Sequence, residues 1–281
     1  MEDVNSMEEE AMTSGRQVLI SVQHVSKTYK KGGREFHALR DCTFDILKNE
    51  FLVVVGPTGC GKSTLLNLLA GIEFPTSGSI LLNGAPVTGP GADRGMIFQD
   101  YALLPWRSVL KNAELGFEFM KKPMKGDQIK AEAMRYLEMV GLGYAVNKHP
   151  GELSGGMKRR ASLAMILAIK PVILLMDGAF NALDSKTKMT MHQEITRIWE
   201  TEKNTVVFVT SDLDEAVKLA DRIIVLNKDG ALEAILVNEL PRPRLGSAAR
   251  DPDFHHRFIA FRETVMNVIK KDAGLRTCAI S

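Results

Sequence analysis

The chain has 281 residues, enough for one large domain or for one domain with appendages. Its net charge of +2 gives no reason to expect a nucleic-acid partner, and its longest apolar runs are far shorter than the roughly 20 residues that span a membrane. Residues 1–16 are acidic and are predicted to form a disordered tail instead of a signal peptide. The three scattered cysteines lack metal-ligand or redox spacing and indicate reduced thiols in the cytosol.

Strand and helix patterns alternate along the chain. Short strands are predicted over residues 18–47 and at FLVVV, a helix at KSTLLNLLAG, and further strands at TSGSILLNG and RGMIFQ. Residues 100–169 are mostly helical by pattern, and strand patterns return at VILLMD, TVVFVT and RIIVLN. We therefore predict an α/β domain over residues 17–240, with a largely parallel sheet and an inserted helical subdomain. In the C-terminal extension, 241–281, PRPR breaks the pattern and HHRFIAFRETVMNVIKK predicts one short amphipathic helix.

The stretch GPTGCGKST follows the apolar strand FLVVV and opens a helix. It fits the phosphate-loop pattern G-x-x-x-x-G-K-[ST], in which backbone N–H groups surround phosphate oxygens at a helix N-terminus. In this pattern Lys62 reaches the β- and γ-phosphates, and the Ser63 hydroxyl lies on Mg²⁺. The sequence therefore predicts binding of ATP and Mg²⁺ by Gly56, Thr58, Gly59, Cys60, Gly61, Lys62, Ser63 and Thr64.

Further motifs narrow the class of nucleotide-binding protein. ELSGGMKRRASLAMILA begins at Glu152 and leads into the strand VILLMD, and FQDYALLPW contains Gln99. With the phosphate loop, these motifs resemble the nucleotide-binding subunit of an ATP-binding cassette (ABC) transporter over roughly residues 18–240. The resemblance implies a P-loop NTPase sheet, that is, an ABC ATPase core with a small antiparallel β subdomain and an inserted α-helical subdomain.

The resemblance also implies roles for individual residues. Tyr29 matches the aromatic residue that stacks on adenine. A tyrosine at a strand end is by itself more often a packing residue, but its place upstream of the phosphate loop favours stacking. Ser63, Gln99 and Asp177 match the positions that bind Mg²⁺. The signature matches Leu153, Ser154, Gly155 and Gly156, which in this family bind the γ-phosphate of nucleotide held by the partner subunit. The loop that crosses the dimer interface matches Asn181, Ala182, Leu183 and Asp184.

Two positions depart from the family pattern. Where the family has a glutamate directly after the magnesium aspartate, this chain has Gly178, and where it has a histidine after the next strand, this chain has Ser211. Glycine can neither accept a proton nor orient water, so no catalytic residue is intact and hydrolysis in this chain's own site is expected to be weak or absent. Ala179 departs as well, which favours natural drift over an engineered single change. Rescue by a nearby acid, Asp184 or Asp212, remains an alternative.

The resemblance defines expected partners. ALLPW (residues 102–106) and the tail PRPR…DPDF…FRETV most resemble importers of nitrate, sulfonates, taurine and similar small oxyanions. The partners implied are membrane permease subunits, a second ABC ATPase subunit that keeps its catalytic residues, and indirectly a solute-binding protein. The chain would lie peripherally on the cytoplasmic face of the cell membrane. ALLPW is predicted to dock on the permease, unless Trp106 packs internally.

The spacing of the motifs disfavours another class of ABC protein. Chromosome-organising ABC ATPases need a long coiled coil between phosphate loop and signature, and Ser154 follows Lys62 by only 92 residues. A regulatory module that senses ATP without powering transport remains an alternative.

Overall fold

The computed structural model describes residues 16–98, 102–119, 124–180, 185–245 and 251–272. The chain divides into two compact units, one formed by Met1–Pro90 with Thr205–Ser281 and the other by Gly91–Asn204. The strands are β1 (Val18–Lys31), β2 (Arg34–Leu47), β3 (Phe51–Val55), β4 (Ser77–Leu82), β5 (Ala85–Pro86), β6 (Arg94–Ile97), β7 (Ile173–Asp177), β8 (Thr205–Val209), β9 (Arg222–Leu226) and β10 (Leu232–Val237). The α-helices are α1 (Lys62–Ala70), α2 (Val109–Glu114), α3 (Gly126–Met139), α4 (Gly155–Ala168), α5 (Ser185–Glu202), α6 (Leu213–Leu219) and α7 (Pro252–Asp272). Short 3₁₀ helices cover Leu115–Phe119, Gly143–Ala145 and Pro150–Glu152.

The first unit contains an antiparallel sheet in the order β2-β1-β4-β5. β1 and β2 are 14 residues each, longer than the short strands predicted from the sequence, and several register shifts interrupt their pairing. These irregularities disturb the alternation of polar and apolar residues, so the pattern reads as several short strands. The long hairpin holds Tyr29 directly opposite Phe36.

A second group of strands in the first unit follows the order β10-β9-β3-β8. β3 pairs in parallel with both β8 and β9, while β10 runs antiparallel to β9. Every residue of β3, β8 and β9 is buried, because parallel strands of this kind are covered on both faces. The phosphate-loop segment therefore leaves the carboxyl end of a buried strand, where open α/β sheets bind their ligands.

The second unit contains the parallel pair β6 and β7 and the helices α2 to α5. β7 begins at Ile173, one residue later than the run VILLMD predicts, and Val172 is 39% exposed. Helix α4 starts at the signature and is buried along most of its length. The second unit thus supplies the residues of the signature and of the strand that ends at Asp177.

Helix α7 is 21 residues long and exceeds the short C-terminal helix predicted. Its buried residues Phe254, Phe258 and Val265 lie on one face at helical spacing. Arg262 Nε donates to Asp214 Oδ1 over 2.6 Å and so ties α7 to α6. Among the helices described, none combines the length and apolar character that crossing a bilayer requires.

Candidate nucleotide site

The phosphate loop needs glycine for steric reasons. Gly61 has φ +92° and is the N-cap of α1, and a Cβ placed there would lie 2.1 Å from the carbonyl oxygen of Ala38. An L-amino acid with a side chain is disfavoured by the positive φ and would also collide with backbone. Gly59 also has positive φ, +82°, but a Cβ there would meet no atom within 4 Å. The loop is therefore closely packed at its inner side and open at its outer side.

Lys62 is the first residue of α1, directly after the loop. Its Nζ donates to the carbonyl oxygens of Gly56 (2.9 Å) and Pro57 (2.7 Å), which folds the side chain over the loop. The side chain of Ser63 is exposed. The N-cap of α1 is Gly61, so no N-cap side chain accepts a hydrogen bond from the first-turn N–H groups. First-turn N–H groups, a lysine ammonium and an exposed hydroxyl together form a set of donors and ligands that suits a Mg²⁺-bound polyphosphate.

Cys60 lies inside the loop but is not positioned as a reactive thiol. Its side chain is 1% exposed, and burial raises the pKa of the thiol although Lys62 is close to it. A neutral, buried thiol packs as a small apolar side chain.

Tyr29 lies near the end of β1, in the same unit as the phosphate loop. Its hydroxyl donates to Glu73 Oε2 over 2.6 Å and lies 3.4 Å from Thr64 Oγ1, the last residue of the phosphate-loop motif. The structure therefore brings the predicted adenine-stacking residue next to helix α1. Glu73 is a residue that the sequence analysis missed, because no local pattern links it to a tyrosine 44 positions earlier.

Asp177 ends β7 in the second unit and is only partly buried. The residue after it, Gly178, has φ +51°, a left-handed conformation that residues other than glycine rarely adopt. Ala179 and Phe180 follow and are both fully buried, and the Phe180 ring contacts His192 edge to face at 5.1 Å. The three residues that follow Asp177 are all buried, and none of them is an acid.

The signature lies at the N-terminus of α4. Ser154 is the N-cap, and its hydroxyl oxygen accepts a hydrogen bond from Met157 N over 3.3 Å. Because the oxygen acts as the acceptor, the hydroxyl hydrogen remains able to donate. Leu153 is buried, whereas Ser154 and Gly155 are exposed and Gly156 is partly exposed. The N-terminus of a 14-residue helix is thus presented with a hydroxyl group and two glycine N–H groups.

Ser211 follows β8 and is exposed. The acids near it have structural partners. Asp212 caps α6 and accepts from the N–H groups of Asp214 (2.9 Å) and Glu215 (3.3 Å). Buried Glu215 accepts from the hydroxyl of Thr210 over 2.5 Å. Since Asp212 is engaged in the cap, it is poorly placed to replace a catalytic base.

Several predicted residues lie outside the described residues. These are Gln99, which was predicted to bind Mg²⁺, and the interface loop Asn181, Ala182, Leu183 and Asp184. The docking segment is described from residue 102 onward, and Trp106 in it is 72% exposed. The alternative prediction, that Trp106 packs internally, is therefore wrong for the isolated chain.

Comparison with known proteins identifies the class to which these motifs belong. Residues 39–181 match the ABC transporter family, and the chain belongs to that family. It is 41% identical over 256 residues to an uncharacterized ABC transporter ATP-binding protein of Methanocaldococcus jannaschii, covering 91% of this chain and 92% of the relative. It is also 41% identical over 243 residues to the nitrate transport protein NasD of Klebsiella oxytoca, covering 85% and 92%. The chain is therefore the ATP-binding subunit of an ABC transporter.

The fold has close counterparts among solved structures. A dimeric post-hydrolysis state of the ATP-binding cassette MJ0796, bound to ADP and Pi, matches with a TM-score of 0.71 and 33% identity, covering 79% of this chain and 99% of the cassette. The predicted fold class, a P-loop NTPase fold of the ABC type, is confirmed.

Proposed function

We propose that this subunit holds Mg²⁺·ATP on its own phosphate loop with little hydrolysis and uses its signature to complete a competent site on a second ABC ATPase subunit. The binding residues Lys62 and Ser63 are present and accessible at a loop that fits a polyphosphate. Mg²⁺ would neutralise charge on the β- and γ-phosphates. The observation that carries the proposal is Gly178, which follows Asp177 without a side chain and with a left-handed backbone.

The loss of a general base has a known scale. Proton transfer by a positioned side chain typically contributes about 10²–10⁴-fold to a rate. In this chain the position has no carboxylate, the next two residues are buried, and Asp212 is engaged in capping α6. Ser211 can donate a hydrogen bond to phosphate, but it lacks the reach and the ring nitrogens of histidine. Binding without rapid turnover is the outcome that these residues support.

Dimerisation gives the subunit a catalytic role despite this loss. In a head-to-tail dimer, the N-terminus of α4 would face the nucleotide of the partner, and Ser154 has a hydroxyl hydrogen to donate there. A homodimer would contain two weak sites. A heterodimer with a subunit that keeps glutamate and histidine would contain one working site, with this chain's ATP stabilising the closed dimer.

The transport role follows from the relatives. NasD is named as a nitrate transport protein, and we extend to this chain the import of a small oxyanion such as nitrate, a sulfonate or taurine. The chain would bind membrane permease subunits at the cytoplasmic face, and a solute-binding protein would act through the permease. The exposed Trp106 supports such a docking surface.

The proposal predicts that the purified chain binds Mg²⁺·ATP and releases phosphate little above background. Lys62 and the α1 N-terminus bind the nucleotide, while the general-base position is a glycine. Equilibrium ATP binding and steady-state phosphate release, measured on the same preparation with Lys62→Ala as control, test this. Rapid hydrolysis that Lys62→Ala abolishes would disprove the degenerate site.

Restoring the acid alone should recover little activity. Gly178→Glu places an L-side chain at φ +51°, where the left-handed conformation costs roughly 1–2 kcal/mol, and Ser211 remains unchanged. We expect Gly178→Glu to lower the free energy of unfolding by about that amount and to leave phosphate release within a few-fold of the parent chain.

Gly178→Asn is the matched control, because asparagine tolerates the left-handed region better than glutamate does. It should be less destabilising in urea titrations than Gly178→Glu. If Gly178→Glu alone produced fast phosphate release at unchanged stability, the backbone argument would be incorrect.

A further inference from the structure

The Tyr29 hydroxyl is held by a carboxylate from a different part of the first unit. Tyr29 lies in β1, whereas Glu73 lies just after α1, the helix that begins at the phosphate loop. The hydroxyl donates to Glu73 Oε2 over 2.6 Å. This distance is typical of an O–H···O⁻ hydrogen bond, which is charge-assisted and stronger than a bond between neutral groups. The hydrogen bond connects β1, which carries the aromatic ring, to the segment that follows α1.

Glu73 has further donors on both sides. Its Oε1 accepts from Asn67 Nδ2 over 3.1 Å, and Asn67 is part of α1. Lys27, two residues before Tyr29 on β1, places its Nζ 3.2 Å from Glu73 Oε2 and donates to the carbonyl oxygen of Phe74 over 2.9 Å. The Lys27 and Glu73 side chains are 16% and 27% exposed, so this pair is more shielded than an ordinary surface ion pair.

The same lysine also fixes the aromatic ring. Lys27 Nζ lies over the Tyr29 ring, 5.0 Å from the ring centroid, within the range of a cation–π contact. The ring is thus held at its hydroxyl by Glu73 and on one face by Lys27, and the Glu73 carboxylate contacts both side chains. A side chain fixed before binding loses less rotational freedom when a ligand stacks on it.

The protonation states suit this arrangement at neutral pH. Burial opposes ionisation of Glu73, but the hydrogen bonds from Tyr29, Asn67 and Lys27 prevail and lower the pKa of the carboxyl below its ordinary value. Burial and the hydrogen bond to Glu73 raise the pKa of the Tyr29 phenol. The carboxylate is therefore charged and the phenol protonated, as the short hydrogen bond requires.

We propose that Glu73 is a positioning residue for the nucleobase: it holds the Tyr29 ring in place relative to helix α1, so that the base and the phosphates are bound in a fixed mutual register. The inference rests on the proposed binding of ATP at the phosphate loop. The face of the ring opposite Lys27 is the one that takes the base. Glu73 itself contacts neither base nor phosphate, and it acts through Tyr29 and α1.

The test separates base recognition from phosphate recognition with two probes, Mg²⁺·ATP and Mg²⁺·tripolyphosphate, which has no base. Dissociation constants of both are measured on the full chain for the wild type, Glu73→Ala, Glu73→Gln and Tyr29→Phe. Loss of one charge-assisted hydrogen bond should weaken ATP binding about 5- to 10-fold in Glu73→Ala and in Tyr29→Phe. The double variant Glu73→Ala/Tyr29→Phe should bind ATP no more weakly than Glu73→Ala, because Glu73→Ala already removes the hydrogen bond that Tyr29→Phe removes. Tripolyphosphate binding should stay within about twofold.

Two controls give the test its specificity. Glu73→Gln keeps the shape of the side chain and one acceptor oxygen but removes the charge, so it should recover only part of the ATP affinity, whereas a general packing role predicts full recovery. Glu35→Ala removes an exposed ion pair with Lys30 on the same hairpin and should change neither dissociation constant.

If Glu73→Ala weakens the binding of both probes equally, or weakens neither, Glu73 does not position the base. If the wild type binds ATP no more tightly than it binds tripolyphosphate, the base contributes nothing to affinity. The inference then fails, while phosphate binding stands. If the wild type binds neither probe, the proposed nucleotide site itself is wrong.

Discussion

Ser154→Arg is expected to reduce phosphate release by the assembled transporter about 10²–10³-fold. In the proposed dimer, this chain contributes to turnover through the N-terminus of α4, where the Ser154 hydroxyl and the N–H groups of Gly155 and Gly156 donate to the partner's nucleotide. Removal of one preorganised donor that faces developing charge typically lowers the rate by about this factor. An arginine side chain would remove the hydroxyl and fill the exposed space in front of the glycines.

Loss of the helix cap must be separated from loss of the donor. Ser154→Arg also removes the acceptor for Met157 N, which typically costs about 1 kcal/mol of stability. Ser108 is a matched control, since it caps α2 with nearly the same backbone angles (φ −66°, ψ 167°) and accepts from Lys111 N over the same 3.3 Å. In the isolated chain, Ser108→Arg and Ser154→Arg should lower the melting temperature similarly. A far larger drop for Ser154→Arg would mean that its effect on turnover reports misfolding.

Replacing Leu104 and Trp106 with serine is expected to abolish co-purification with the permease while ATP affinity stays unchanged. Trp106 is 72% exposed, and the loop that carries it is held in place. Buried Asn112 accepts from Leu104 N over 2.7 Å and donates to the Leu104 carbonyl oxygen over 3.1 Å. A rigid loop that presents an exposed tryptophan has the character of an interface hot spot, whose removal costs about 2 kcal/mol or more.

Met189→Ser provides the control for this experiment. Met189 is also an apolar side chain of the second unit and is 56% exposed, but it lies on α5, away from the ALLPW segment in sequence. It should leave permease association intact. If the Leu104 and Trp106 replacements weaken ATP binding as much as association, these residues belong to the core. If no permease co-purifies with the wild type, the regulatory ATP-sensing module becomes the better reading.

Much of the fold was predictable because its signals are local. The buried runs at β3, β8 and β9 stand out as continuous apolar segments, since strands covered on both faces need no polar residues. The phosphate loop combines a strand, glycines and a helix within a few residues, and the structure has these elements where the sequence predicted them. The hairpin of β1 and β2 was harder to predict, because register shifts interrupt its alternation of polar and apolar residues.

Contacts between residues far apart in the sequence could not be predicted from it. The bond between Tyr29 and Glu73 depends on how a strand packs beside a helix, and nothing near Glu73 indicates it. The absence of an acid at position 178 was visible in the sequence, but its left-handed φ was not. The commitment of Asp212 to capping α6 became clear only from its hydrogen bonds, although an aspartate before a helical segment is a common N-cap.

The most direct test compares Lys62→Ala with Ser154→Arg in the heteromeric complex by steady-state phosphate release, with ATP-driven dimer closure measured in parallel. Lys62 serves this chain's own site, whereas Ser154 serves the partner's site. The account predicts that Ser154→Arg nearly abolishes release, while Lys62→Ala lowers it much less, through weaker ATP binding and closure. If Lys62→Ala is as damaging as Ser154→Arg while ATP still closes the dimer, hydrolysis takes place on this chain, and the proposal of a degenerate site is contradicted.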